Sequence, residues 1–366
     1  MDTTSRDWAT FLFSDLLTFV ALKHKKSTQM TSSIQQTKLG GQGLLVPNVG
    51  LGCMGMTKIA GMDIYGKADE TEAIATIHRS LELGGNFLDT ADLYGPLANE
   101  RLVAKAIKGN RSRYIIATKF GYEIDDNEQL TWRINGQPDY VRKAVERSLK
   151  NLGTDYIDLY YLHRLDPNTP IEETVGAMAG LVKEGKVGYI GLSEVSSATI
   201  RKAHQIHPLT AVQTEYSLFE RSVEEQGILD TLRELGIGFV AYSPVGRGFL
   251  SGEIKTPGDF PENDFRLSIP RFQGEQFYKN IDLVKAIKQL AETKGISAPQ
   301  LAIAWIITKG FVPIPGTKRR NYVEENIAAS GITLTTEELA QLEAIVPLGV
   351  STGDRYDAAG MSMVGL

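Results

Sequence analysis

Residues 114–163 read YIIATKFGYEIDDNEQLTWRINGQPDYVRKAVERSLKNLGTDYIDLYYLH. One apolar run, Tyr114–Thr118, leads into Lys119, and a second, Ile157–Leu162, leads into His163. Between them Val141, Val145, Leu149 and Leu152 recur at spacings of three and four, the period of a helix with one apolar face. Strand, helix, strand in succession predicts two parallel strands joined by a helical crossover, in a sheet whose faces are covered by helices.

The same alternation extends in both directions. Strand-length runs are predicted near 49–54, 86–89, 114–118, 157–162, 187–191, 211–213, 237–241 and 312–313, with helical spacing between them, as in Ile74, Ile77 and Leu81. Eight such units predict an α/β protein of the (β/α)8, or TIM-barrel, type. A turn around Gly40–Gly43 opens the chain as an N-terminal β-hairpin. Two helices are surplus to the eight units, near 281–294 and 337–346. Capping-box patterns, Ser297 with Gln300 and Thr335 with Glu338, mark helix starts.

In such a barrel the working groups gather at the C-terminal ends of the strands. Four polar residues fall there: Asp89 and Tyr94 in NFLDTADLYG, Lys119 in YIIATKFG and His163 in IDLYYLHR. A phenol has a pKa of roughly 10 and is a poor acid near neutrality. An ammonium held beside it favours the phenolate, and a carboxylate keeps that ammonium charged. A histidine at the same point orients a carbonyl oxygen and stabilises the charge that develops on reduction. The set therefore suits proton donation to a carbonyl. Taken singly, each residue has a plainer reading: Asp89 as a turn cap, Tyr94 as a loop aromatic, Lys119 as a solvated charge, His163 as a buried imidazole. A hydrolase or isomerase barrel using Asp89 and Lys119 as acid and base is the rival chemistry.

The string Gly50-Leu-Gly-Cys-Met-Gly55 matches the dinucleotide-binding glycine pattern, but that fingerprint requires the glycines to open a helix. Here they run into MTKIAGMDIYG, which has no helical period. The alternative is that these glycines keep the first barrel strand and its loop compact.

FLDTADLYG, IIATKFG, DLYYLH, VQTEYSLFER, AYSPVGRGFLSG and IPGTKRRNYVEEN resemble, in content and order, the aldo-keto reductases, over about residues 34–346. GLGCMGM near the start and GLSE ending at Glu194 are most similar to the branch holding pyridoxal reductases and plant auxin-induced reductases. The resemblance implies NADPH-dependent, reversible reduction of an aldehyde or ketone, with the proton from Tyr94. It places the nicotinamide amide at Ser193, Glu194 and Gln213, and the ring on Tyr242. Many members have asparagine where this chain has Glu194, and a carboxylate only accepts hydrogen bonds; a solvent-facing loop carboxylate is the other reading of Glu194. Ser243, Gly246, Arg247, Gly248 and Leu250 form a loop whose glycines let backbone approach a pyrophosphate. Thr317, Lys318 and Arg319 precede a predicted helix and favour the 2′-phosphate of NADPH, unless the basic run is only solvated surface. Glu325 and Asn326 match adenine contacts. Residues 259–276 are predicted to form either a lid or a surface loop. Tyr65 and Trp132 are candidate substrate-pocket aromatics. Cofactor-sensing subunits of potassium channels are similar in the same motifs and give a second functional reading.

The apolar share, 42% of 366 residues, suffices for one large core. Residues 34–366 are expected to form a single barrel domain, with 1–33 a dispensable extension. Its apolar stretch, Trp8–Leu22, is broken by Asp15, is short of a membrane span, and carries its basic residues on the wrong side for a secretory signal. A net charge of −5 without a large basic cluster argues against nucleic acid. One cysteine, Cys53, admits no internal disulfide and suits the cytoplasm. Neither HExxH nor a cysteine cluster is present, so no metal is expected. The expected partner is a small carbonyl substrate; the sequence gives no oligomeric state.

Overall fold

In the computed structural model, residues 34–59 and 61–366 are described, so the expected extension lies outside the described residues. Strands β1 (Gln36–Leu39) and β2 (Leu44–Pro47) form the antiparallel hairpin. Next come β3 (Leu51–Gly52), α1 (Glu70–Glu82), β4 (Phe87–Asp89), α2 (Ala98–Ile107) and β5 (Ile115–Phe120). A second hairpin, β6 (Tyr122–Ile124) with β7 (Leu130–Ile134), precedes α3 (Pro138–Leu152), β8 (Ile157–Leu162), α4 (Ile171–Lys183), β9 (Val187–Ser193) and α5 (Ser197–Ile206). The chain continues through β10 (Ala211–Glu215), α6 (Ser222–Glu225), α7 (Ile228–Leu235) and β11 (Gly238–Tyr242). After several 3-10 turns come α8 (Gly274–Thr293), α9 (Ala298–Thr308), β12 (Val312–Ile314), α10 (Arg320–Ala328), α11 (Thr336–Ile345) and α12 (Ala358–Met361).

Eight parallel strands pair in the order β12-β11-β10-β9-β8-β5-β4-β3, and a parallel bridge between Gly52 and Gly316 closes the ring. This is the expected (β/α)8 barrel. The two expected surplus helices are α8 and α11, joined by the short α6 and α12, and both expected capping boxes form, each worth about 1 kcal/mol.

The period-2 alternation of the strands sorts their side chains. Ala117, Leu159, Tyr161, Ala211 and Val240 pack inside the barrel, while Ile116, Phe120, Tyr160 and Leu162 pack outward with Val141 and Val145 of α3. Leu39, Leu44 and Val46 of the first hairpin join the inner cluster. Gly41 N–H donates to the Gly236 carbonyl, just before β11, so the hairpin closes the barrel at the N-terminal end of its strands. The opposite end is left for chemistry. Glycine is needed at position 52: a Cβ there would lie 2.9 Å from the Ile314 carbonyl oxygen and 3.3 Å from Gly316 Cα. Gly50 and Gly52 therefore serve close approach, whereas a Cβ at Gly55 would meet nothing nearer than 3.7 Å. The run after them forms a 3-10 turn, Met54–Met56, instead of a phosphate-binding helix.

Three boundaries differ from expectation. β3 has two residues rather than six because the chain turns at Met54. Lys119 lies within its strand rather than just beyond it, since β5 runs on to Phe120, while Ser193 ends β9, two residues past the predicted run. Residues 122–134, expected as a long connection, form the β6–β7 hairpin.

Candidate active site

The backbone after β4 keeps step with β5: Thr90 N–H donates to Ala117 O and Asp92 N–H to Lys119 O. Thr90 Oγ1 donates to Asn99 Oδ1, whose amide nitrogen donates to Cys53 O and Thr57 Oγ1, fastening the loops after β3 and β4 to α2. That frame holds Asp89 and Tyr94 toward Lys119, which is fully buried.

The Lys119 ammonium donates to Asp89 Oδ1 at 2.5 Å, to the Thr90 carbonyl at 2.9 Å and to the Tyr94 hydroxyl at 3.2 Å, using all three of its protons. Gln213 Nε2 donates to the other Asp89 oxygen at 2.7 Å. Burial pulls the Lys119 pKa down, but Asp89 and Tyr94 outweigh it and leave it raised. Tyr94 is also raised: burial exceeds the downward pull of Lys119, so the phenol holds its proton at neutral pH. His163 meets Tyr94 edge-on, with centroids 5.9 Å apart, and meets Tyr122 likewise at 5.3 Å. Burial, then the Arg164 and Lys119 charges, hold its pKa well below the ordinary range. It is a neutral imidazole, and its buried Nδ1 has no partner among the described residues. The four residues named from sequence therefore meet at one point.

The cofactor candidates surround it. Seven non-glycine described residues have positive φ, and five of them are Tyr65, Trp132, Glu194, Ser243 and Arg247. Such backbone is uncommon and costs about 1–3 kcal/mol per residue, which is why it clusters where function demands a particular shape. Gly246 and Gly248 also have positive φ, and the buried Arg247 Nη1 beside them is without a partner. A strained glycine loop with an orphaned buried cationic donor fits a dinucleotide pyrophosphate. Arg247 is otherwise engaged, donating to Glu215 Oε2 at 2.6 Å and lying over the Tyr356 ring. Ser193 is buried at the end of β9, and Leu250 and Thr317 are buried too.

Glu194 departs from both of its sequence readings. It is 2% exposed, so it does not face solvent. Arg355 grips its carboxylate two-toothed at 2.7 and 2.6 Å, and Tyr242 Oη and Glu215 N–H donate to the same Oε1. The carboxylate holds the C-terminal segment, with three donors on Oε1 and one on Oε2. Tyr356 Oη lies 2.8 Å from Tyr242 Oη. Sequence reasoning missed Arg355 and Tyr356 because their run shows no period or motif.

Residues 259–276 are not a loose surface loop. They fold as 3-10 turns that bury Phe260, Ile269 and Phe272, with Arg266 donating to Asp264 and to the Arg247 carbonyl. Tyr65 packs edge-on to Phe265 beneath the Arg266 guanidinium. Trp132 is 58% exposed on β7, with its ring edge-on to Tyr122. Lys318 Nζ donates to the Ile64 and Gly66 carbonyls, tying the loop after β12 to the loop after β3. Arg319 is exposed and has no carboxylate partner among the described residues, whereas Arg320 pairs with Glu72. Glu325 accepts from Ser297 Oγ, and Asn326 is buried on α10.

Behind Tyr94, Asp92 is fully buried, with Arg147 Nη2 3.1 Å from one oxygen and the other oxygen unpartnered. Burial and the Glu100 charge push its pKa up to about 8 from 3.8, against the pull of Arg147. The folded value is the higher one, so the native state binds the extra proton and stability falls as pH rises from about 4 through about 8. We expect the apparent Tm to decline over the upper part of that window, and Asp92→Asn to flatten the decline; parallel Tm profiles for the two proteins would contradict this assignment.

A buried Asp-Lys-Tyr set with a neutral histidine at the C-terminal face of a barrel is chemically able to hold and give up a proton at the Tyr94 hydroxyl. Residues 48–347 match the model of the aldo/keto reductase family, and the chain belongs to that family of oxidoreductases. Among solved structures, the glycerol dehydrogenase AKR11B4 from Gluconobacter oxydans is 28% identical with a TM-score of 0.77, covering 89% of this chain and 98% of its own. The aldo-keto reductase AKR11C1 from Bacillus halodurans, in its holo form, is 30% identical with a TM-score of 0.70, over 89% and 99%. A thermostable aldo-keto reductase, Tm1743, in complex with the inhibitor epalrestat, is 27% identical with a TM-score of 0.68, over 85% and 99%. No described helix is long and apolar enough to cross a membrane.

Proposed function

We propose that this protein is an NADPH-dependent reductase of aldehydes or ketones, acting reversibly, with residues 34–366 as the working domain. The observation that carries this reading is the buried Lys119 ammonium bridging Asp89 and Tyr94. Bound nicotinamide supplies the hydride. Tyr94 supplies the proton to the carbonyl oxygen, and Lys119 stabilises the phenolate left behind. Asp89 keeps Lys119 charged and aimed, and His163, neutral, donates a hydrogen bond that orients the oxygen. Ser193 and Gln213 hold the nicotinamide amide, Tyr242 backs the ring, and Arg247 with the 243–250 loop takes the pyrophosphate. Thr317, Lys318 and Arg319 take the 2′-phosphate; Glu325 and Asn326 take the adenine. Similarity of GLGCMGM and GLSE supports pyridoxal among the substrates, and a single buried thiol accords with the cytoplasm.

The test is loss of NADPH absorbance with purified protein and pyridoxal, 4-nitrobenzaldehyde, methylglyoxal and simple ketones. Turnover supports the reading. Tight NADPH binding without turnover of any carbonyl favours the cofactor-sensing alternative, and failure to bind any nicotinamide nucleotide removes both.

Selectivity between nucleotides rests chiefly on Arg319, because the Lys318 ammonium is already engaged by two carbonyls. A charge-assisted hydrogen bond contributes about 1.5–3 kcal/mol. Arg319→Ala should weaken NADPH about 10-fold or more and barely alter NADH, with Lys318→Ala weaker in the same direction. Equal losses for the two nucleotides in a fluorescence titration would place the phosphate elsewhere.

A further inference from the structure

Arg164 follows His163 at the end of β8, and its side chain is buried at 7% exposure. Its guanidinium makes one hydrogen bond among the described residues, from Nη1 to the His163 carbonyl at 2.7 Å. The buried Nε is without a partner, and no carboxylate lies within ion-pair distance among the described residues. Glu194 is the carboxylate whose charge reaches it, but both Glu194 oxygens are gripped by Arg355. An ion buried this far without a counter-charge costs several kcal/mol, so natural chains keep one only where something repays it.

Its position says where the missing partner belongs. Arg164 holds the carbonyl of His163, whose ring meets both Tyr94 and Tyr122 edge-on, so it lies beside the proton-donating set. With Nη1 committed and Nε buried, Nη2 is the donor left for a ligand oxygen, in a charge-assisted hydrogen bond of the kind a guanidinium makes to a carboxylate.

We propose that Arg164 is a specificity-determining residue that binds a carboxylate carried by the carbonyl substrate, making this protein a reductase of aldehyde or keto acids in preference to neutral carbonyls. This rests on the reductase reading above, and the experiment separates the two.

The probe pair is 4-formylbenzoate and its uncharged methyl ester, with wild type, Arg164→Met and Arg164→Lys. Binding to the NADPH-loaded protein is measured by calorimetry, and turnover by NADPH oxidation. The expected result is that 4-formylbenzoate binds wild type about 10- to 100-fold tighter than the ester. Arg164→Met should erase that preference mainly through KM, and Arg164→Lys should restore part of it. Equal binding of acid and ester by wild type, or equal loss of both in Arg164→Met, overturns the assignment. Selective acid binding that depends on Arg164 but comes with no turnover of any aldehyde upholds this inference and counts against the reductase reading.

Discussion

Tyr94→Phe should reduce carbonyl turnover by about 10²–10⁴-fold, the usual contribution of a positioned general acid, while leaving NADPH affinity near that of wild type. The substitution removes one oxygen that accepts from Lys119 at 3.2 Å, and Lys119 keeps its bonds to Asp89 and the Thr90 carbonyl. The ring remains edge-on to His163, so the pocket wall persists. Loss of rate with cofactor binding retained isolates the proton-donating role. Unchanged kcat with 4-nitrobenzaldehyde would remove Tyr94 from it.

Arg355→Ala should be the most destabilising single change outside the barrel core. It leaves the buried Glu194 carboxylate without its two-toothed partner, and Glu215, whose oxygen lies 3.7 Å from Arg355, loses part of its compensation. Breaking a buried pair from one side costs about 3–5 kcal/mol, an apparent Tm lower by roughly 5 °C for a chain of this size. The C-terminal segment should loosen with it, since Gly365 N–H donates to the Glu194 carbonyl and Ser196 N–H to that of Leu366. Limited proteolysis should cut residues 350–366 in the variant well before wild type. Burial pushes the Glu194 pKa up, but Arg355 more than offsets this and leaves it below 4.5. The stabilisation is therefore present above the ordinary glutamate range and lost as pH falls through the lower folded value. A variant within about one degree of wild type would show that the pair carries little weight.

The barrel was legible because period-2 and period-3.6 patterns alternate cleanly along 114–163 and its neighbours, and because burial on both faces makes parallel strands continuously apolar. The four candidate residues Asp89, Tyr94, Lys119 and His163 were legible for a related reason: each follows such a run, so topology brings them to one end. What escaped was set by contacts between distant residues. Glu194 sits where a cofactor contact was expected, yet its partner lies far along the chain at Arg355, within a segment that has no period. Residues 122–134 did carry a hairpin signal, with Tyr122 and Ile124 answering Leu130, Trp132 and Ile134 across DDNE, but the polar turn read as one long loop. Arg164 stood beside His163 in plain view. Only the absence of a counter-charge, which no pattern announces, marks it out.

The seam at Gly52 and Gly316 also bears on how the molecule comes together. It joins β3, near the start of the barrel, to the loop after β12, near its end, through a strand of two residues. Contacts between such distant parts of a chain are entropically expensive to form and tend to form late. The residues that follow Gly316, Thr317 to Arg319, gain their place only when this closure is made. Any ligand held from both sides of the seam would act as a clasp and lengthen the lifetime of the folded ring.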